Sequence, residues 1–407
     1  MWELLNRKLI PGFIVNPFYL YCAGFSISVI VYLLGWSKIF PGLSVSLMLF
    51  LLMTFIISII AGIAFGKRRD LFITRSCSVS SINDIIFAVI IILGFINILY
   101  MGYLPIADRS HNYREFGMPV VDPLFHSLSI FFSVLIFHSF LGSRKIRYLL
   151  YFIIILVFQI ILYRRSAIIW ITVSSTFLYL LQKNRISVLI PAVIIICIPL
   201  LSFFFGLYGN TRSKLTKTFT LNELGASDLF KRMNISPYHY MTYLYVSSPL
   251  ANLQENINKS DRNLTKTDFK DYFFYCLEPE SLTKRLEKPL HISPPYCYLI
   301  SPELIAGTVY MVSFSTLGWK GMIIMFLFMF TVISVCLFII KKWNTFSLVT
   351  FSLLSTTISL LIFSNFLNRL DVLMMLFIYP VLFHFIFTRE DKILLSLRRK
   401  TVSADAN

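Results

Sequence analysis

The sequence predicts an all-α polytopic membrane protein, a bundle of about ten transmembrane helices interrupted late in the chain by one large polar loop. Three observations carry that prediction. Of the 407 residues, 57% are hydrophobic and only 14% charged, with a mean hydropathy of +0.74, more apolar surface than a soluble domain can hide. The apolar residues come in continuous runs of spanning length, not in the alternating pattern of an outer-membrane barrel. The basic residues gather at alternate ends of these runs, as cytoplasmic loops require. The formal net charge of +17 is therefore read as topology, and nucleic acid is not an expected partner.

The elements follow in order. Met1 to Asn16 carries Arg7 and Lys8 and starts inside. The first apolar run, about 17–36, is long enough to span and lacks a small-residue cleavage site, so it reads as a permanent helix. A turn around Pro41 leads to a second helix, about 43–65, anchored inside by Lys67, Arg68 and Arg69. A third, about 85–103, exits to an outer segment, and a fourth, about 123–141, returns to Arg144, Lys145 and Arg147. Tyr148 to Leu181 is uncharged except for Arg164 and Arg165 near its middle. That length fits two spans of about 17 residues with almost no loop, which puts the arginine pair at the outer rim.

A seventh helix, about 188–206, exits into the polar stretch 207–320. Within it, Leu304 to Leu317 is apolar. Counting it as a span would turn the basic tail outward, so it reads as a helix lying on or dipping into the outer surface. The eighth helix, about 322–340, ends at Lys341 and Lys342, and the ninth (345–365) and tenth (372–387) lead to a basic cytoplasmic tail over 389–407. Both termini are inside. Short inner segments then hold 18 Lys and Arg and short outer ones six, namely Lys38, Arg109, Arg114, Arg164, Arg165 and Arg369.

Five of those six outer cations are arginine. A guanidinium offers a planar fork of donors that matches phosphate oxygens and keeps its proton, which suggests an outward pocket for a phosphate or diphosphate. Snorkelling to headgroups, or pairing of Arg369 with Asp371 and Arg114 with Glu115, is the plainer reading for single arginines. Arg164 and Arg165 have no acid near in sequence. Gly206 to Ser213 reads GLYGNTRS and brings Arg212 beside loosened backbone, where donors can converge on one anion. Phe230 to Leu253 holds Arg232, His239 and several tyrosines, which suit either a sugar face or an interfacial aromatic belt. His239 is a candidate general base, whereas His126, His138 and His384 read as bonds between helices. Cys276 and Cys297 share the outer compartment and either pair or stay as thiols. No HExxH, paired-Cys or Walker pattern occurs, so the sequence calls for no metal and no cofactor.

In this order the motifs resemble the bacterial O-antigen polymerases, the Wzy-type oligosaccharide repeat-unit polymerases. The likeness is carried by SHNYREFGMP from Ser110 to Pro119, the Arg164-Arg165-Ser turn, GLYGNTRS, and YVSSPLANL from Tyr245 to Leu253, and it covers nearly the whole chain. It implies a GT-C-like fold of the O-antigen ligase and polymerase type, in the bacterial inner membrane with its active site periplasmic. It also implies a glycosyltransferase that moves a growing glycan from undecaprenyl diphosphate onto the terminal sugar of a lipid-linked repeat unit. Expected partners are the undecaprenyl-diphosphate-linked repeats, membrane lipid, and a chain-length regulator and flippase of the same pathway. Arg165 and Arg212 are expected at the leaving diphosphate and His239 as base. Arg109, Arg114, Arg164, Arg232, Tyr245 and Asn252 are expected to bind substrate. The competing readings are a lipid-linked oligosaccharide flippase or other transporter, and an O-antigen ligase.

Overall fold

A computed structural model describes residues 14–66, 82–108, 116–182, 206, 221–260, 269–292 and 294–389. Its regular elements among these residues are all helical, with one isolated bridge between Ser37 and Ala226. Five helices are long and apolar enough to cross a membrane, Val45–Gly66, Ile82–Met101, Val121–Ser143, Val309–Lys342 and Leu370–Arg389. Pro17–Tyr32, Ile146–Ile161 and Ser347–Ser359 are shorter apolar helices. The expected seventh span lies outside the described residues, apart from Gly206. The chain divides into two compact units. The first is Met1–Lys67 with Asn184–Val332 and Thr357–Arg369, and the second is Arg68–Lys183 with Ile333–Thr356 and Leu370–Asn407.

The first unit begins with α1 (Pro17–Tyr32) and α2 (Val45–Gly66). Asn16 starts α1 by accepting from the Phe18 N–H and ties it to α2 by donating to the Gly62 carbonyl, 3.0 Å each. On α2 only the stripe Leu47, Leu51, Thr54, Ser58 and Gly62 is buried. The rest of that helix exposes Met48, Leu49, Leu52, Met53, Ile56 and Ile60. A helix that is apolar outward and small or polar inward is built for lipid on one side and helix packing on the other.

The polar stretch after residue 206 is folded into helices over most of its described residues. After the short helix α7 (Asp228–Arg232) it forms α8 (Pro237–Asn258), a continuous helix with Pro237 at its first position and Pro249 inside it. α8 is buried along most of its length and bonds to both membrane helices of this unit. The Ser28 hydroxyl donates to the Val246 carbonyl at 2.8 Å, and the Ser44 N–H donates to Gln254 Oε1 at 2.8 Å. Its N-terminal part makes a small core with the α1–α2 connection. Trp36 packs on Phe230 and Tyr243, and Phe40 stacks on Tyr243. Lys38 closes the edge, 2.9 Å from Asp228, and its ammonium holds that exposed carboxyl below the usual carboxylate range.

Two short helices follow, α9 (Phe269–Tyr272) and α10 (Glu280–Leu290), and the stretch expected to lie on or dip into the outer surface then packs Val309, Tyr310 and Phe314 inside the unit. α11 (Val309–Lys342) starts inside the unit, where the Tyr310 and Tyr21 hydroxyls are 2.7 Å apart and the Val309 N–H donates to the Leu361 carbonyl at 2.9 Å. α12 (Ser347–Ser359) ends at the same level, because the Ser359 carbonyl lies 2.9 Å from where a Cβ on Gly24, midway along α1, would stand. Two interrupted helices thus meet at the depth of mid-α1. Such backbone survives in a bilayer only when enclosed by protein, and Thr308, Val309 and Leu361 are buried.

α11 is bent at Leu317 and Gly318, the glycine having φ 58° and ψ −143°, a conformation essentially closed to residues with a side chain. Gly318→Ala is therefore expected to cost about 1–3 kcal/mol. The check is the thermal midpoint of the purified protein in detergent, where an unchanged midpoint would mean the bend carries no strain.

The second unit is organised around α4 (Val121–Ser143), buried on nearly all sides and packed against α3 (Ile82–Met101), α5 (Ile146–Ile161) and α6 (Arg165–Gln182). α5 and α6 fill the uncharged stretch as the length argument requires, with a turn of Leu162, Tyr163 and Arg164 between them. α13 (Leu370–Leu373) continues without a break through a wider turn (Met374–Ile378). At one end of this unit Arg147 on α5 meets Asp84 on α3 at 3.4 Å. Both belong to segments that the charge pattern assigns to the inside.

Candidate functional site

A cluster of acidic and basic side chains lies at the other end of the second unit. It is built from three connections. Asp122 and His126 stand four residues apart at the start of α4, so they share one face. Opposite them the α5–α6 turn is so short that Tyr163 adopts φ 56°, which brings Arg164 inward to form an ion pair with Asp122. Both side chains are mostly covered, at 13% and 24% exposure. The guanidinium also lies over the Phe125 ring, 5.4 Å from its centre. From the third connection, Asp371 Oδ2 comes to 3.5 Å from His126 Nε2, each side chain being 9% exposed.

The surroundings fix these groups. The Val372 N–H donates to Asp371 Oδ1 at 3.0 Å, and the Ser127 and Tyr379 hydroxyls are 2.8 Å apart. Gly117, with φ 126°, passes so close over Asp122 that a Cβ would sit 2.4 Å from its carboxyl carbon. Only glycine lets the chain cross there. Asn97 holds the same crossing by accepting from the Met118 N–H at 2.9 Å. The glycine of the SHNYREFGMP motif thus serves this site. Arg164 sits in the turn, outside both helices. There burial pushes its guanidinium down to about 10, while the Asp371 carboxylate acts the other way, and it stays protonated at neutral pH.

The residues singled out in the sequence divide between the two units. Arg164 joins the cluster, tied to Asp122, and half-buried Arg165 opens α6 beside it. In the first unit, Arg232 is exposed at the end of α7, His239 is half-buried in the first turn of α8, and Tyr245 is half-buried further along. Arg109, Arg114 and Arg212 lie outside the described residues.

Asn252 requires a correction. It is fully buried, its amide donates to the Leu304 and Ala306 carbonyls at 2.6 and 2.7 Å, and its oxygen accepts from the Ile300 N–H at 2.9 Å. Both of its N–H donors and one acceptor site are used inside the fold. Tyr240 and Tyr243, read from sequence as sugar-binding or belt tyrosines, belong to the buried core instead. Cys276 and Cys297 are free thiols, 3.9 Å from the Thr316 hydroxyl and 3.4 Å from the Ser315 hydroxyl.

Sequence reasoning missed Asp122 and the partnership of His126 with Asp371. The available signal was the Asp122–His126 spacing at the start of a helix. Arg369, read as a partner of Asp371, has its guanidinium 5.5 Å from the centre of the Phe366 ring. Among the described residues no group of three or more His, Cys, Asp or Glu is placed to hold a metal ion. No protein-family model, curated protein or solved structure matches the chain.

Proposed function

We propose that this protein is an O-antigen polymerase, a glycosyltransferase that moves a growing glycan from undecaprenyl diphosphate onto the terminal sugar of a lipid-linked repeat at the outer face of the bacterial inner membrane. The observation that supports it best is the convergence of the Arg164–Arg165 turn with Asp122, His126 and Asp371. These groups form a charged acid–base site from three connections that the charge pattern assigns to the outside. The reaction needs cationic donors where the diphosphate leaves and a base where the acceptor hydroxyl loses its proton. With Arg164 committed to Asp122, the leaving group falls to Arg165, at a helix N-terminus that itself favours anions, and to Arg212.

The test is a gel of surface polysaccharide from cells lacking the gene. The expected result is lipid core carrying one repeat and no ladder, restored by the wild-type gene and not by the Arg165→Ala, Arg212→Ala double variant. A double variant that is expressed and gives the normal ladder would refute the arginine roles. Bare core with no repeat would refute the polymerase.

A second reading is favoured by one observation, the interrupted helices α11 and α12 meeting at the depth of mid-α1. Transporters build substrate sites from such breaks, so a lipid-linked oligosaccharide flippase is the competitor. The lipid carrier of the deleted cells separates the cases. Single repeats facing inward indicate a flippase, and polymer facing outward on the carrier indicates a ligase.

A further inference from the structure

We propose that His126, oriented by Asp371, is the general base that removes the proton from the acceptor hydroxyl in the transfer proposed above. The inference rests on that reading of the function and moves the role of base from His239, which the sequence favours, to a histidine inside the charged cluster. A base needs a partner that fixes its ring and stabilises the cation formed when it takes a proton. His126 has one in Asp371, 3.5 Å from its Nε2. That carboxylate is itself held by the Val372 N–H.

The charges around the ring suit proton uptake. On its own helix, one turn earlier, Asp122 is neutralised by Arg164 from the α5–α6 turn. From the α13 side come Asp371 and the Tyr379 hydroxyl, the latter engaged with Ser127. Among the described residues the carboxylate 3.5 Å from His126 is that of Asp371, which also attracts the Arg164 guanidinium, and an imidazolium formed there adds a second cation to that carboxylate. A carboxylate and an imidazole enclosed at 9% exposure each also act with less screening than groups on an open loop.

In the step itself, the acceptor oxygen forms a bond to the anomeric carbon of the donor glycan as its proton passes to Nδ1 of His126, the ring nitrogen turned away from Asp371. The bond between that carbon and the diphosphate oxygen breaks, and the electron pair leaves with the lipid diphosphate, beside Arg165. The proton on His126 then passes to water or to the departing diphosphate, which restores the base.

The experiment uses the full chain, purified in detergent, and the undecaprenyl-diphosphate-linked saccharide extracted from cells lacking the gene. Initial rates are followed across about pH 5 to 9, the range in which a histidine titrates. His126→Gln is expected to be about 10²–10⁴-fold slower and to lose the acid limb of the profile. Added imidazole is expected to restore part of the rate to His126→Gly, a rescue that a purely structural role would not show. A His126→Gln rate equal to wild type with its acid limb intact overturns the proposal, as does loss of that limb in His239→Gln alone.

Should His126 variants fail to fold, Asp371→Asn decides. Removing the carboxylate makes the imidazolium harder to form, so the acid limb must move to lower pH, and an unmoved limb overturns the assignment. If the wild-type chain transfers nothing, the polymerase reading falls and this inference with it. If the wild type transfers and His126→Gln keeps pace, only the assignment of the base falls.

Discussion

Asn252→Ala should unfold this protein far more readily than any substrate-binding role for that residue would predict. Its side chain supplies two donors and one acceptor to backbone groups of the extended segment that leads into α11. Truncation leaves the Leu304 and Ala306 carbonyls and the Ile300 N–H without those bonds. At about 1–3 kcal/mol for each buried group left unsatisfied, the three together come to about 3–9 kcal/mol. That is a large part of the about 5–15 kcal/mol by which a typical protein is stable.

Asn252→Asp should be about as damaging, because it keeps the acceptor for Ile300 but turns a carboxylate oxygen toward two carbonyls. Asn256, one turn further on, does the same work. It donates to the Asn252 and Tyr298 carbonyls and accepts from the Tyr298 N–H and the Ser315 hydroxyl. Both side chains hold the same extended segment, at Tyr298, Ile300, Leu304 and Ala306, so the double variant should cost less than the sum of the singles. Thermal or denaturant unfolding in detergent measures all three. A normal midpoint combined with lost transfer would return Asn252 to the substrate site.

The same residues explain where sequence reading succeeds and where it fails. Charge anchors and lengths locate α1 to α6 closely, because a span must reach across the bilayer and basic residues must stay inside. They even separate α5 from α6, since 34 nearly uncharged residues have no other use. α8 is illegible to the same logic. Ser247, Ser248, Asn252, Gln254 and Asn256 make it read as a polar loop, yet all are buried. Hydropathy scores transfer to lipid, whereas these side chains face protein backbone.

The start of α11 fails in the opposite sense. It reads as a surface helix because a short apolar run looks alike on the surface and enclosed by neighbours. For the cluster, a local reading finds no acid near Arg164 in sequence. The partner of Arg164 is 42 residues away, and no local rule reaches that far.

Breaking the Arg164–Asp122 pair from one side should be costly, and removing both charges should not. Either single change takes a mostly covered charge from its ion-pair partner at a helix end, although Arg164 keeps the attraction of Asp371. The cost of such a loss is about 3–5 kcal/mol for a fully buried pair. With Asp122 24% exposed, water offsets part of it, and about 2–4 kcal/mol is expected for Asp122→Asn or Arg164→Met. The double variant Asp122→Leu, Arg164→Met should recover most of that, because a matched apolar pair has no desolvation penalty to overcome.

Unfolding midpoints of the singles and the double complete the cycle, and additive losses would mean the pair has no coupling. Activity separates two roles that sequence alone merges. If Arg164 serves chiefly to seat Asp122 and the start of α4, the stable double variant should keep a measurable rate of transfer while Arg165→Ala in the same background loses it. If the double variant folds normally and transfers nothing, Arg164 itself touches the diphosphate and its ion pair must open during turnover. The arginine pair would then act as one two-pronged clamp, not as an anchor beside a ligand.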